Sequence, residues 1–419
     1  MDRRRGLLRG VLLVALVVGL GGAAHPVFAQ APKREKVVVA YLPLTVAMSA
    51  TNEYLRKHKS FEKVARQLGY EVEVEWKQFP SGPATYEALG PGHVHIGAVG
   101  AAPTAVAITR NSPVYVISMS EGHLEFALLV HNDSPIRSLD DLVKKRAAIG
   151  LPVGSDAHRF LANMWQHTYG KSPQETGLTL TNMTPADIYL VPRGMDAFVV
   201  WNPGPVLVED VRKRGKRLIN SYGLTGSAHE EGAGKLFPSV KKHWAFPEGY
   251  MLHRTIQVAH RAFADKHPDL VTAWLVAQQE AVRALAKDTR MAHEVANVNW
   301  KMDYEHAKKM LDEDTIIGYR DWIWETEGDL AAIVYGSEFL HSQKVIPRVV
   351  TWEDITKYTA PILPAVKKAY EMSGGYPSLE AFTDKSAKDI RGVPMWMPER
   401  FDPQRWKAMG LGHPNPLQK

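Results

Sequence analysis

Three short polar turns carry the residue types that hold an anion: Phe79-Pro80-Ser81-Gly82, Gly100-Ala101-Ala102-Pro103 and Pro152-Val153-Gly154-Ser155-Asp156. Each follows a strand-like run and precedes a helical pattern. Small residues there let backbone N–H groups at a helix N-terminus face a ligand, and the helix dipole favours negative charge at that end. Ser155 could add a hydroxyl to the same anion. An ordinary N-cap is the alternative for Ser155 or Asp156, and a close-packed turn is the alternative for Gly100 to Pro103. Asp196 and the Trp201-Asn202-Pro203 segment would place a carboxylate and an indole near another strand end, with core packing the alternative for Trp201.

Catalytic chemistry is poorly supported. Ser155, Asp156 and His158 lack the second glycine of a nucleophile elbow and stand too close in sequence for a triad. His93 and His95, two apart on a strand, would share a face, yet no third metal ligand is recognisable by spacing among the 17 histidines. No catalytic residue, metal or cofactor is expected.

The elements that must position these turns alternate. Val37 to Tyr41 is a short apolar run suited to a buried strand, and Phe61, Val64, Ala65 and Leu68 share a helical face ended by Gly69. Val72 to Trp76 alternates as a half-exposed strand does. His95 to Val99 and Val114 to Met119 are further strands. The β-α-β pattern then begins again with Phe126 to Val130, a helix opened by Ser138, Ala147 to Gly150, a helix after Ser155 burying Phe160, Leu161, Met164 and Trp165, and Asp196 to Val200. This alternation reads as an α/β fold with mainly parallel sheets, in two lobes with a cleft between them. A long helix is expected from Pro268 to about Lys287, since Val271, Trp274, Leu275, Gln278, Val282 and Leu285 keep a 3.6-residue period. Shorter helices near Glu305 to Leu311 and Glu325 to Tyr335 precede an appended helical tail from about residue 351.

Residues 1–29 have the form of a signal peptide. Arg3, Arg4, Arg5 and Arg9 precede an apolar run from Val11 to Leu20, and Val27-Phe28-Ala29 offers a cleavage site. Arg4 and Arg5 leave Sec and twin-arginine export both open. The apolar run falls short of the roughly 18 residues that span a bilayer, so the processed chain is not expected to cross a membrane. The 419 residues carry a formal charge of +6. Residues 1–29 hold four arginines and one aspartate, so the mature chain keeps 47 basic and 44 acidic residues, a net of +3. The densest basic run, Arg212 to Arg217, has no interleaved aromatics and reads as a solvated helix end and turn, so no nucleic-acid partner is expected. The chain has no cysteine, which excludes disulfides, thiolate catalysis and a lipid-attachment cysteine.

At the residues quoted, the chain resembles the nitrate/sulfonate/taurine family of ABC-importer solute-binding proteins. The resemblance runs from Phe79-Pro80-Ser81-Gly82 through Ile96 to Pro103, Asp133 to Leu142, Gly154-Ser155 and Gly194 to Pro203, and on to His267-Pro268. It covers about residues 36–345. It implies a type II periplasmic-binding-protein fold, two α/β lobes joined by crossover strands, here with a helical C-terminal extension. The organisation it suggests is a signal at 1–29, a first lobe at 36–125, a second at 126–255, a return to the first at 256–350 and the extension at 351–419. It implies a periplasmic protein that delivers a small ligand to an ABC permease and its ATPase. By the same resemblance Ser81, Gly82, Gly100, Ala101, Ala102 and Ser155 would surround the oxyanion. Asp196 and Trp201 would face the rest of the ligand. His95 departs from the family's usual aspartate, and Ala186 to Arg193 matches poorly.

The main expectation is capture of an alkanesulfonate, taurine or nitrate. Two others stay open. The same module could bind a pyrimidine-type vitamin precursor or an aromatic acid, given eleven tryptophans including Trp201 and Trp244. An enzyme like the menaquinone-pathway dehydratases could also use this fold, though no acid–base pair is evident.

Overall fold

The computed structural model describes residues 31–121, 125–221, 255–314, 323–325 and 327–375. The expected signal, Trp244 and the tail beyond residue 375 lie outside them. The first sequence unit supplies β1 (Lys33–Tyr41), α1 (Val46–His58), α2 (Ser60–Gln67), β2 (Tyr70–Gln78), α3 (Gly82–Leu89), β3 (Ile96–Gly100), α4 (Ala101–Thr109) and β4 (Val114–Glu121). The second supplies β5 (Phe126–His131), α5 (Leu139–Lys145), β6 (Ala148–Leu151), α6 (Asp156–Tyr169), β7 (Thr179–Asn182), α7 (Pro185–Ile188), β8 (Ala197–Trp201), α8 (Gly204–Val206) and β9 (Gly215–Asn220). Then come β10 (Thr255–His260), α9 (Arg261–Lys266), α10 (Pro268–Lys287), α11 (Thr289–Trp300), α12 (Tyr304–Asp314), α13 (Glu327–Ser342), α14 (Trp352–Thr359) and α15 (Leu363–Met372).

Two five-stranded sheets result, in the orders β2-β1-β3-β10-β4 and β7-β6-β8-β5-β9. The sequence suggests mainly parallel sheets. The structure adds one antiparallel strand to each: β10 runs against β3 and β4, and β5 against β8 and β9. The reason is direction of entry. Other strands end at the cleft, as Gly100 and Trp201 do, whereas β5 and β10 begin there as the chain crosses between lobes. Hence Phe126 pairs with Trp201 and Thr255 with Gly100.

Local expectations hold where one face is apolar. In α2, Phe61, Val64 and Ala65 are buried, and Gly69 follows at φ +82°. Phe160, Leu161, Met164 and Trp165 of α6 are fully buried. The long helix α10 has the expected limits, and its Trp274 donates to the Gln257 side chain at 2.8 Å. Helix α13 packs on α4 of the first lobe and on α6 of the second. Helices α14 and α15 pack on the first lobe, where Thr272 Oγ1 donates to the Ala365 carbonyl and the Arg261 guanidinium lies over the Tyr358 ring.

Two readings are corrected. Arg217, grouped with a solvated basic run, is buried on β9 and pairs with Glu125, Glu209 and Asp210. Glu125 stands just before β5 and also accepts from the Asn202 and Asn220 side chains, both at 3.2 Å. A charge this deep needs partners that no local pattern reveals. His93 and His95 precede β3 and are not on it. His95 stacks on Phe263, and its Nδ1 accepts the Val38 N–H. No group of three metal-ligating side chains occurs among the described residues.

Two outcomes follow. Arg217→Leu strands a buried carboxylate beside the crossing, so chemical denaturation should show a loss of about 3–5 kcal/mol. His158 of α6 is buried, and burial lowers its imidazole from the ordinary 6.5 to about 4. It is neutral when folded but protonates near pH 6.5 once unfolded. Its contribution is therefore complete above that pH and falls toward pH 4, by about 3 kcal/mol in all. Denaturant midpoints across this window should fall less steeply in His158→Gln; parallel profiles would exclude this assignment.

Candidate functional site

Four helices start at the cleft from strand-to-helix turns: α1 after Thr45, α3 after Ser81, α4 after Gly100 and α6 after Ser155, all four in extended conformation. Between them lies a small cavity of about 30 Å³. Its polar lining is Thr45, Ser155, Asp156 and Thr255, with Gly82 and Gly100 offering backbone alone; Leu42, Pro103, Phe126 and Trp201 complete it. Helix N-termini in so apolar a surrounding exert a stronger field than they would in water.

The hydroxyls differ in what they have left to give. Ser155 Oγ accepts the Ala157 N–H at 3.2 Å and donates to the Pro152 carbonyl at 2.6 Å. Its only proton is engaged, so it acts as the N-cap of α6. Thr45 is 4% exposed, makes no side-chain cap to α1, and its hydroxyl has no hydrogen-bond partner among the described residues. A buried hydroxyl left unpaired costs about 1–3 kcal/mol. Here that hydroxyl belongs to a cavity-lining residue at a helix start.

The structure brings Gly82, Gly100, Ser155 and Trp201 to the cavity, and it puts Ser81, Ala101 and Ala102 beside those lining residues in the chain. Gly82 is required by close approach, since a Cβ there would meet Pro103 Cγ at 2.7 Å. The Ala102 N–H is already engaged, donating to Asp156 Oδ1 at 3.1 Å across the cleft. Trp201 also spans the cleft, its indole N–H donating to the Leu44 carbonyl at 2.8 Å. Asp196 is not brought to the cavity. It precedes β8, five residues and about 16 Å of strand from Trp201. There it accepts the Ala148 N–H at 2.9 Å and pairs with Lys145 at 2.8 Å.

Sequence reasoning missed Thr45 as a site residue and treated Asp156 only as a capping alternative. The Thr45 signal was present: Tyr41 to Thr45 is a fourth strand–turn–helix junction with a polar residue at the helix start. Phe126 and Thr255 enter through strand pairing, which no local motif encodes.

Comparison with known proteins shows the same fold in binding proteins. Residues 47–159 match a sequence family described as ABC transporter, phosphonate, periplasmic substrate-binding protein. The taurine-binding periplasmic protein of Escherichia coli K12 is 28% identical over 307 residues, 72% of this chain and 79% of that protein. The alkanesulfonate-binding protein SsuA from Xanthomonas axonopodis pv. citri, solved with MOPS, shares the fold at TM-score 0.58 and 16% identity. That match covers 78% of this chain and 99% of SsuA. The periplasmic nitrate-binding protein NrtA from Synechocystis PCC 6803 shares it at TM-score 0.57 and 16% identity, covering 90% and 98%. The chain is thus similar in sequence to a taurine-binding periplasmic protein over most of its length, and it shares the two-sheet architecture of the alkanesulfonate- and nitrate-binding proteins.

Proposed function

We propose that the chain is the solute-binding component of an ABC importer, closing its lobes on a small solute that carries an oxyanion of the alkanesulfonate, taurine or nitrate type. The observation that carries this reading is the buried, unpartnered Thr45 hydroxyl in a cavity onto which helix starts from both lobes open. An oxyanion there would accept the Thr45 O–H and main-chain N–H groups, and would be stabilised by the aligned dipoles. Leu42, Phe126 and Trp201 would hold the apolar part of the solute. The names of the relatives support the same class of ligand.

In this reading residues 1–29 direct export to the periplasm, and the loaded protein hands its solute to a membrane permease driven by a separate ATPase. Among the described residues no helix is long and apolar enough to cross a membrane. The protein acts as a binder and not as an enzyme, since the cavity needs only to complement a ground-state anion.

The test is thermal unfolding of the mature protein with taurine, ethanesulfonate, nitrate and a simple phosphonate. At a hundredfold excess over Kd the true ligand class should add about 2.7 kcal/mol of stability. Stabilisation by none of the four overturns the reading. Thr45→Val should weaken binding at least about tenfold, from the loss of a hydrogen bond to a charged group, while unfolding temperature stays level or rises. Ser155→Ala should show the converse: a cap loss of about 1 kcal/mol in stability with a smaller change in affinity.

A further inference from the structure

Asp156 is the first residue of α6 in the second lobe, is 4% exposed and lines the cavity. Its Oδ1 accepts the main-chain N–H of Ala102, the second residue of α4 in the first lobe, at 3.1 Å. The same oxygen lies 2.9 Å from the Arg159 guanidinium, one turn along α6. The carboxylate thus sits between two helix N-termini and a buried cation. Every physical reason for an oxyanion to settle at the start of α4 applies equally to this side chain.

We propose that Asp156 is an internal rival of the solute: its carboxylate holds the N-terminus of α4, bridges the lobes, and thereby lowers the solute's affinity. The proposal rests on the oxyanion reading above. A bound oxyanion and this carboxylate exclude one another at the Ala102 N–H, and two anions in a dry cavity repel. The solute must displace the bridge or bind beside it. In the first case the apparent affinity is the intrinsic one reduced by the fraction of molecules in which the bridge is released; in the second, repulsion between the two anions lowers it. A charge-assisted hydrogen bond is equivalent to about a ten- to hundredfold bias in such an equilibrium.

The surroundings keep the carboxylate in place. Arg159 is fully buried and packs against Gly336 of α13, where the helix leaves no room for a side chain. Because α13 rests on both α4 and α6, the pair cannot withdraw without disturbing a helix that spans the lobes.

The test uses Asp156→Asn in the full mature chain, with ethanesulfonate and taurine as probes, read by calorimetry and stopped-flow mixing. The amide keeps an acceptor for Ala102 and removes the charge. Both probes should bind on the order of tenfold tighter and associate faster. Unchanged or weakened binding of both overturns the proposal. So does a loss confined to taurine, which would make Asp156 a contact for the ammonium group. Should Asp156→Asn unfold because Arg159 loses its counter-charge, the pair Asp156→Asn with Arg159→Gln carries the same expectations. A second readout needs no ligand. The chain has no cysteine, so Lys63→Cys and Lys144→Cys, exposed on α2 and α5, take spin labels uniquely. The inter-label distances should lengthen in Asp156→Ala, which leaves Ala102 no acceptor, without solute, and an unaltered distribution overturns the bridge. If no probe binds even the unsubstituted protein, the oxyanion reading has failed, while the label distances still decide the bridge.

Discussion

A chain that builds two lobes and returns to the first must enter each from the gap between them, and that geometric constraint organises the protein. Strands native to a lobe run toward the cleft, and the entering strand runs away from it. The antiparallel β5 and β10 are the direct result, and they bring Phe126 beside Trp201 and Thr255 beside Gly100. The helices that follow the other strands then begin at the cleft, so several helix N-termini open onto one cavity. At the crossing the chain also buries Glu125 and Arg217, whose ion pair is completed by Asn202 and Asn220. Charges there tie the end of β8, the start of β5 and the body of β9 to a single register.

The electrostatics of the cavity follow from that arrangement. Helix starts create a site for negative charge, and the chain meets part of that demand itself through Asp156 on Ala102. Ser155 is spent as a cap, whereas the buried Thr45 hydroxyl in the cavity lining keeps an uncommitted donor. The cavity is accordingly neither neutral nor fully satisfied. In the proposed reading a small oxyanion completes it, and lobe closure is stabilised to the extent that the anion prefers the closed arrangement.

Much of this was legible in sequence because it is local. Gly100 and Ser155 were found as helix starts since small and capping residues leave a compositional mark. The limits of α10 followed from Pro268 and a 3.6-residue period. The unread part is non-local. Arg217 looked like one more surface arginine, because its three acidic partners become visible only when β9 pairs with β5. Asp196 stands just before the strand that ends in Trp201, but the cavity lies only at that strand's far end. The Asp156–Ala102 bond joins residues 54 apart and depends on how the lobes meet. The fold class was thus written in periodicity, and the charge balance of the cavity was not.

How Thr45 comes to point at the cavity links these scales. The preceding backbone is held by two indoles: Trp201 of the second lobe donates to the Leu44 carbonyl at 2.8 Å, and Trp300 of α11 donates to the Pro43 carbonyl at 3.1 Å. The core cluster of the second lobe also includes Ala50 of α1 together with Ala292 and Trp300 of α11 and Met310 of α12. The stretch that aims the Thr45 hydroxyl is therefore fixed from outside its own lobe. Opening the cleft would release the Trp201 bond and loosen Thr45, while closing would set the hydroxyl and the start of α1 in place together. Donor geometry and lobe closure are in this way a single event, which makes recognition of an anion and the change of shape two descriptions of one equilibrium.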